Sequence, residues 1–314
     1  MIDLESFNPE NRLNESAVYG LLNLDTDRLL MIAKRIKDKY SSSFELCSII
    51  SYKTGRCTEN CSFCAQSSHF NTGIEFKKVS VEEVIFKAKL MKNYGSKRFS
   101  LVSSGRGPSK ADMDELLSIF ERLKKEVDIE LCASLGIIRE RDLIRLKDVG
   151  VSTYHHNLES SRSFFGNICS THSYDERIET IEAVKRVGLI PCVGGIVGLG
   201  ETFEQRVEFA IILKDLGIRS VPFNILIPIK GTPLENVRVL DKSEVLKTLA
   251  IFRIILPYAT IRLCAGRESV LGKYQKLALN SAANALMIGG YLTRPGEDIE
   301  RDLELIRSLD PIKI

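Results

Sequence analysis

The chain has 314 residues and a formal charge of +3, and 44% of its residues are apolar while 27% are charged. This composition is typical of a folded globular protein, and charges that are interleaved without a block of one sign argue against a nucleic-acid partner. Because no apolar run reaches the roughly 18 residues of a membrane span, and the first segment MIDLESFNPENRLNES has no apolar signal region, we expect a cytoplasmic protein without a membrane segment.

The predicted elements begin with a helical segment, TDRLLMIAKRIKDKYSS, that belongs mostly to an N-terminal extension of residues 1–40. After it, strand-like and helix-like segments alternate. The predicted strands are, in chain order, ELCSII, KRFSLV, IELCAS, VSTYHHN, PCVGGIV, RSVPFNILI, ATIRLC and ALMIGGYL. The predicted helices are VEEVIFKAKLMKNYG, ADMDELLSIFERLKKE, SYDERIETIEAVKRVG, TFEQRVEFAIILKDLG and SEVLKTLAIFRIIL.

Eight strands in series with helices between them favour an α/β fold, a closed (β/α)8 barrel of the TIM type, over an open doubly wound sheet. We assign residues 41–314 to this barrel, including a C-terminal helical segment, because such barrels need about 250 residues plus extensions. Functional residues of such a barrel lie at the C-terminal ends of the strands and in the loops that follow them.

Three of the eight cysteines are spaced as Cys-x3-Cys-x2-Cys in the segment TGRCTENCSFCAQSSHF, directly after the first predicted strand. They are Cys57, Cys61 and Cys64. Thiolates are soft ligands that suit zinc or an iron-sulfur cluster. With His69 the three could form a structural zinc site. A four-iron cluster on only three thiolates would instead keep one iron free of protein ligands, and this spacing is the signature of the radical S-adenosylmethionine (SAM) superfamily.

Further segments follow in a fixed order: YHHNLES, FFGNICSTHSYDER, VGGIVGLGET, VPFNILIPIKGTPL and IRLCAGRE. Together with SYKTGRCTENCSFCAQS they resemble the biotin synthase family from about residue 45 to about residue 295. The resemblance implies insertion of sulfur into dethiobiotin, with SAM as the source of a 5′-deoxyadenosyl radical and a second iron-sulfur cluster as the sulfur donor. It also implies a homodimer and an electron donor such as flavodoxin or ferredoxin.

The resemblance implies two sets of binding residues. Those expected to bind SAM are Phe63, Ser103, Asn157, Glu159, Arg177, Gly194, Gly195 and Ile196. Those expected to bind dethiobiotin are Lys53, Arg98, Asn157, Asn224, Thr293 and Arg294. Simpler interpretations stay open: the strand-end residues can cap a helix, the arginine on the SYDER helix can form a surface ion pair, and the glycines can make a tight turn.

The expected auxiliary cluster departs from the family pattern. In the family it is a two-iron cluster held by three cysteines and an arginine; here Cys132, Cys192 and Arg262 match, whereas Ser100 replaces the third cysteine. Cys264 lies two residues beyond Arg262, so both side chains should face the barrel lumen. We therefore expect Cys132, Cys192 and Cys264 to bind an auxiliary cluster, with four irons favoured over two because three thiolates would leave one iron free for an exchangeable sulfide.

Whether Arg262 is itself a ligand stays open. The remaining cysteines, Cys47 and Cys169, are expected to be small buried apolar residues. Two other functions are considered: another radical SAM barrel, of the hydrogenase-maturase or methylornithine-forming kind, and a zinc-stabilised binding protein without catalytic activity.

Overall fold

The structure is a computed structural model that describes residues 20, 21 and 23–310. It begins with helix α1 (Thr26–Tyr40), which Asp25 caps by accepting a hydrogen bond from the Arg28 N–H. The buried side of α1 packs against α8 (Lys242–Ile255) on the outside of the barrel. The predicted N-terminal helix is thus observed. Residues 1–19 of the predicted extension lie outside the described residues, and the division at residue 40 stays a prediction.

Strands, numbered along the chain, form a closed parallel barrel in which the first strand pairs with both the third and the last. The barrel strands are β1 (Glu45–Thr54), β3 (Arg98–Ser103), β4 (Glu130–Ser134), β5 (Val151–His155), β6 (Ile190–Cys192) with β7 (Gly195–Val197), β8 (Ser220–Ile225), β9 (Thr260–Leu263) and β10 (Ala285–Ile288). Strand β2 (Lys77–Lys78) adds one antiparallel pairing at the end of β1. Since β6 and β7 fill one position, the barrel has eight strand positions, and the predicted fold is confirmed.

Helices cover the outside of this barrel. They are α2 (Val81–Asn93), α3 (Lys110–Glu126), α4 (Glu140–Asp148), α5 (Arg162–Phe165), α6 (Tyr174–Val187), α7 (Phe203–Asp215), α9 (Arg267–Val270), α10 (Gln275–Ser281) and α11 (Ile299–Arg307), with a 3-10 turn at Gly272–Tyr274. All five helices predicted between the strands are observed, and each begins with a capping box, in which the cap side chain and the residue three positions on exchange hydrogen bonds.

Side chains of β1 alternate between the lumen and the surrounding helices. Glu45 and Ile49 point into the lumen, where the first meets Arg262 and the second lines a cavity. Tyr52, on the other face, is fully buried among apolar side chains of the helix layer. Because side chains of a strand alternate, Cys47 points into the lumen between Glu45 and Ile49.

Charged side chains fill the N-terminal end of the lumen. Arg262 Nη2 lies 2.9 Å from Glu45 Oε1, and Arg98 Nε donates to Glu130 Oε2 at 2.7 Å. Arg98 Nη1 is also 3.5 Å from Glu45 Oε1. The side chains of Arg262, Glu45 and Arg98 are only 4%, 12% and 16% exposed, so this end of the barrel is closed by a buried ionic layer.

One strand position is interrupted. Cys192 on β6 is opposite Ser220 of β8, and pairing resumes only where Gly195 is opposite Phe223. At Gly194, between the two halves, a Cβ atom would lie 1.9 Å from the Pro222 carbonyl oxygen. Only glycine allows the backbone to approach β8 this closely. No helix among the described residues has the length and apolar character needed to cross a membrane.

Candidate active site

A cavity of about 630 Å³ opens at the C-terminal ends of the barrel strands, a size that suits a small-molecule site. All three cysteines of the Cys-x3-Cys-x2-Cys segment line it. Strand-end residues of the remaining wall include Asn157, Asn224 and Cys264. The cavity therefore extends from the three-cysteine loop to the mouth of the barrel lumen.

The three-cysteine loop is folded by its own backbone. The Cys57 N–H donates to the Gln66 carbonyl at 2.9 Å, and the Ser68 N–H donates back to the Cys57 carbonyl at 2.7 Å. The Cys64 N–H donates to the Cys61 carbonyl at 2.9 Å, which makes a tight turn. Three soft thiols converging on one cavity wall are a suitable donor set for an iron-sulfur cluster with one open iron.

His69 does not join these thiols. Its ring is exposed, Nε2 lies 3.0 Å from the Thr58 carbonyl oxygen, and the residue is absent from the cavity wall. The Cys3His zinc set considered from the sequence is therefore not formed by these four residues.

A fourth thiol lies beside the three-cysteine loop. Cys169 Sγ is 3.8 Å from Cys61 Sγ and 3.4 Å from His172 Nδ1, and the three ligand atoms lie within 4.8 Å of one another. The hydrogen bond between the two thiols raises the pKa of Cys61 and lowers that of Cys169. Cys169 is thus not simply an apolar core residue, which corrects the expectation from the sequence.

Arg177 is held inside the site by a chain of polar contacts. Glu59 contacts His172 Nδ1, and Arg177 Nε donates to His172 Nε2 at 3.0 Å. Arg177 Nη1 donates to the Asn157 carbonyl at 2.6 Å. With 9% exposure the residue is buried and lines the cavity, so the surface ion pair considered from the sequence is not what the structure shows.

Asn157 and Glu159 project into the cavity from the end of β5. Asn157 Nδ2 donates to Glu159 Oε2 at 3.3 Å, and Asn157 Oδ1 accepts the Gly194 N–H at 3.1 Å. Glu159 has a φ of +68°, a rare backbone conformation for a residue with a side chain, and burial raises its pKa. Such strain is common at functional sites.

Phe63, Ser103 and Ile196, also expected at the SAM site, lie in the cavity wall. Gly194 and Gly195 do not. A Cβ at Gly195 would lie 2.3 Å from the Glu159 carbonyl oxygen, so both glycines permit close packing of neighbouring backbone rather than direct access for a ligand.

Of the residues expected to bind the substrate, Asn224, Thr293 and Arg294 line the cavity. Asn224 is oriented by its neighbours, since Nδ2 donates to the Gly195 carbonyl at 3.1 Å and Oδ1 accepts the Ala265 N–H at 3.3 Å. Asn157 joins this group. The side-chain amides of Asn157 and Asn224 thus line the same cavity.

Two expected substrate residues lie elsewhere. Arg98 is the first residue of β3, at the closed end of the barrel, where Glu45 and Glu130 neutralise it. Lys53 pairs with Asp112 at 3.2 Å outside the cavity wall. The structure therefore does not support a substrate-binding role for Arg98 or Lys53.

The lumen below the cavity contains the second group of thiols. Ser220 Oγ donates to Cys192 Sγ at 3.2 Å, and Arg262 Nη1 lies 3.8 Å from the same sulfur. Burial would raise the pKa of Cys192, but His155 and Arg262 outweigh it and the pKa falls to about 6. Burial raises the pKa of Cys132 to about 12. His155, which the sequence did not single out, is therefore the neighbour that makes one lumen thiol acidic.

Cys264 and Cys47 complete the lumen group. They share one contact cluster with Met287, and the thiol of Cys47 interacts electrostatically with Arg262 and Cys192. Cys264 reaches the cavity wall, whereas Cys47 lies deeper. The expectation that Cys47 is a small buried apolar residue is compatible with this placement, to which the structure adds that the side chain faces the lumen.

Several polar atoms around these thiols have no partner among the described residues. They are Ser100 Oγ, Thr153 Oγ1 and Arg262 Nε. Buried polar atoms are nearly always hydrogen-bonded in folded proteins. Unpaired donors beside soft thiols suit a sulfide-rich cluster, which accepts hydrogen bonds at its sulfur atoms.

Comparison with known proteins agrees with this geometry. Residues 51–213 match the Radical SAM superfamily, and residues 222–311 match the Biotin and Thiamin Synthesis associated domain. Among curated relatives, the biotin synthase of Pelotomaculum thermopropionicum is 49% identical and that of Carboxydothermus hydrogenoformans 50% identical. The match to the Pelotomaculum protein covers 92% of both chains. The match to the Carboxydothermus protein covers 90% of this chain and 88% of that relative.

Solved structures share the fold at low sequence identity. Methylornithine synthase superposes with a TM-score of 0.81 at 20% identity, covering 97% of this chain and 95% of that one. The FeFe-hydrogenase maturase HydG from Carboxydothermus hydrogenoformans gives 0.78 at 20% identity, covering 92% and 73%. Both belong to the alternatives considered from the sequence, but at this identity they establish the barrel only.

The curated relatives decide between the candidate families, because their identity extends over both halves of the chain and includes the three-cysteine loop region. The zinc-stabilised binding protein is thereby set aside, and iron-sulfur and SAM cofactors follow from the family. The chain is a radical SAM enzyme of the biotin synthase family.

Proposed function

We propose that this chain converts dethiobiotin to biotin by radical sulfur insertion. One observation carries the proposal beyond family membership: a single cavity is lined by Cys57, Cys61 and Cys64 on one wall and by Cys264 of the lumen on another. A substrate bound in it would lie between the source of the radical and the source of sulfur.

Bound cofactors supply chemistry that the side chains lack: SAM and the cluster on the three-cysteine loop supply a 5′-deoxyadenosyl radical, and the auxiliary cluster supplies sulfur. The chain's own residues bind and orient. Arg177 would pair with the SAM carboxylate through its planar fork, and Glu159 with Asn157 would accept and donate hydrogen bonds at the ribose hydroxyls. Phe63, Ser103 and Ile196 would shape the rest of the nucleoside site.

For dethiobiotin, we assign the cyclic urea to the two side-chain amides, Asn157 and Asn224. Each amide offers both a donor and an acceptor, which matches the N–H and C=O groups of a urea. Thr293 and Arg294, farther along the cavity wall, would contact the carboxylate tail. With Arg98 and Lys53 elsewhere, Arg294 is the assigned cation for that tail.

For the auxiliary cluster, we propose the four-iron type, bound by Cys132, Cys192 and Cys264. The support is the lumen thiol group itself and Ser100, whose oxygen binds iron poorly compared with a thiolate. Iron and sulfide analysis with Mössbauer spectroscopy of anaerobically purified protein tests this. A single two-iron auxiliary cluster with Arg262 as a direct ligand would overturn it.

The proposed partners follow from the family. They are an electron donor such as flavodoxin or ferredoxin and a second copy of the chain, with which it forms a homodimer. The proposed location is the cytoplasm. Reduction of the purified enzyme by each donor, followed by spectroscopy of the clusters, tests the first. Light scattering of the anaerobic protein tests the second, where a monomeric mass contradicts the proposal.

An activity assay tests the function as a whole. The enzyme, reconstituted anaerobically, is incubated with dethiobiotin, SAM and a reductant, and biotin and 5′-deoxyadenosine are measured together. We expect both products. Abundant 5′-deoxyadenosine without biotin would show a radical SAM enzyme with another substrate, and the Cys57→Ala variant, which cannot form the SAM cluster, serves as the blank.

A further inference from the structure

The auxiliary site assigned above uses three lumen thiols and gives no role to Cys47. Yet Cys47 faces the same lumen and belongs to one contact cluster with Cys264 and Met287. The strand registers show how the four thiols are arranged, because they fix which residues lie at the same height in the barrel.

Cys47 on β1 is opposite Arg98 on β3, and Arg98 is opposite Glu130 on β4. In an eight-stranded barrel of this type the strands tilt, and a layer perpendicular to the axis takes side chains from alternate strands. To stay within one layer, the paired residues are followed across two strands, and the next member of the layer lies two residues further along that second strand. Two residues beyond Glu130 is Cys132, which lies at the level of Cys47.

The same step continues around the barrel. Along the observed registers it leads from Cys132 to Cys192, from Cys192 to Arg262, and from Arg262 back to Cys47. The path closes on its starting residue, as a layer of four side chains must. Cys47, Cys132, Cys192 and Arg262 thus form one layer of the lumen.

Cys264 lies two residues beyond Arg262 on the same strand position, so it belongs to the next layer toward the cavity, whose wall it reaches. Three thiols in one layer and a fourth in the next layer thus face the same part of the lumen. Four thiolates supply one protein ligand to each iron of a four-iron cubane.

Arg262, the fourth member of the lower layer, is already engaged. Its Nη2 pairs with Glu45 at 2.9 Å, and its Nη1 lies 3.4 Å from Ser220 Oγ and 3.8 Å from Cys192 Sγ. A guanidinium in these contacts acts as a hydrogen-bond donor. It is well placed to donate to a ligand sulfur.

We propose that Cys47 is a ligand of the auxiliary cluster and completes a four-thiolate site with Cys132, Cys192 and Cys264. The proposal rests on the auxiliary cluster assigned under the proposed function and changes its ligand count. A sulfide bound at an iron would have to displace a thiolate, and Cys264, which lines the cavity, is the thiolate within reach of the substrate.

The test compares three proteins reconstituted anaerobically with ⁵⁷Fe and saturated with SAM: wild type, Cys47→Ser and Met287→Leu. Met287 packs against Cys47 but has no role as a ligand in the proposal, so its variant controls for altered packing. The readouts are iron and sulfide per chain and the Mössbauer spectrum. The signal of the SAM-bound cluster reports in every sample that the barrel is folded.

We expect wild type and Met287→Leu to contain on the order of eight irons per chain, as two four-iron clusters do. In Cys47→Ser, either one auxiliary iron acquires the Mössbauer parameters of an oxygen ligand, or the auxiliary cluster is lost while the SAM cluster is retained. An auxiliary spectrum in Cys47→Ser identical to wild type overturns the role of Cys47 alone. A wild type with only the SAM cluster overturns the auxiliary assignment and this proposal together.

Discussion

Replacement of Arg177 by methionine tests how the site binds SAM. Methionine keeps the length and the apolar stem of the side chain but removes the guanidinium fork. Two internal hydrogen bonds are lost, at 3.0 Å to His172 and at 2.6 Å to the Asn157 carbonyl. Any pairing with a carboxylate of SAM is lost with them.

The expected magnitudes follow from these contacts. Two buried acceptors lose the donor that Arg177 provides, and each loss costs about 1–3 kcal/mol, so we expect the free energy of unfolding to fall by about 2–6 kcal/mol. For SAM, loss of a charged pair worth about 2–3 kcal/mol corresponds to a rise in Kd of about 30- to 150-fold. Arg177→Lys, which retains the charge without the fork, should give an intermediate Kd.

The assay is anaerobic titration of the reconstituted enzyme with SAM, followed by calorimetry, with thermal unfolding measured separately. Arg106 offers a matched control, because it also lines the cavity but pairs with Glu59 and Glu176 and is 40% exposed. We expect Arg106→Met to change the Kd less than about threefold, which is under 1 kcal/mol. A large effect at Arg106 together with a small one at Arg177 would refute the assignment of the SAM carboxylate to Arg177.

Three further substitutions have defined outcomes. Arg253→Leu removes the hydrogen bonds that Arg253 donates to four backbone carbonyls and to Asn284, and it should lower the free energy of unfolding by at least about 3 kcal/mol. An unchanged denaturant midpoint would contradict this. Gly194→Ala places a Cβ 1.9 Å from a carbonyl oxygen and should lower the free energy of unfolding by about 1–3 kcal/mol or more. Gly166→Ala is the control: a Cβ there would meet no atom within 4 Å, so this variant should unfold like wild type. Asn224→Ala should raise the KM for dethiobiotin about tenfold, which corresponds to a loss of about 1.4 kcal/mol of binding free energy. The Kd for SAM should not change. An unchanged KM would show that Asn224 does not bind the substrate.

The barrel was predictable because its strands are short runs rich in β-branched or apolar residues, and because the helices between them carry recognisable caps. Helix α4 was not named from the sequence, since it buries only two apolar side chains, Leu143 and Leu146. The interruption between β6 and β7 was also not predicted. The segment PCVGGIV has an unbroken apolar pattern, whereas the break in pairing coincides with a close approach of Gly194 to Pro222, which lies in a distant segment of the chain.

The candidate site was predictable where the residues were local in sequence, as in the three-cysteine loop. The chain of contacts from Glu59 through His172 to Arg177 joins segments more than a hundred residues apart, and no spacing reveals it. Arg98 could have been excluded from the substrate site, because it begins its strand and therefore lies at the end opposite the loops.

That Cys47 faces the lumen could not be predicted, for a more general reason. Strands of a parallel barrel are buried on both faces, so their apolar pattern does not tell which side chains face the lumen. Only the partner of Glu45, two residues earlier, fixes that face.

The buried ionic layer of Glu45, Arg98 and Arg262 has a consequence for turnover. Because its charged groups are paired, iron or sulfide that entered from that end would have to separate buried ion pairs, which is costly. The cavity at the opposite end offers an open approach to the lumen. We therefore expect a chain that holds substrate in this cavity to take up iron and sulfide more slowly than a free one.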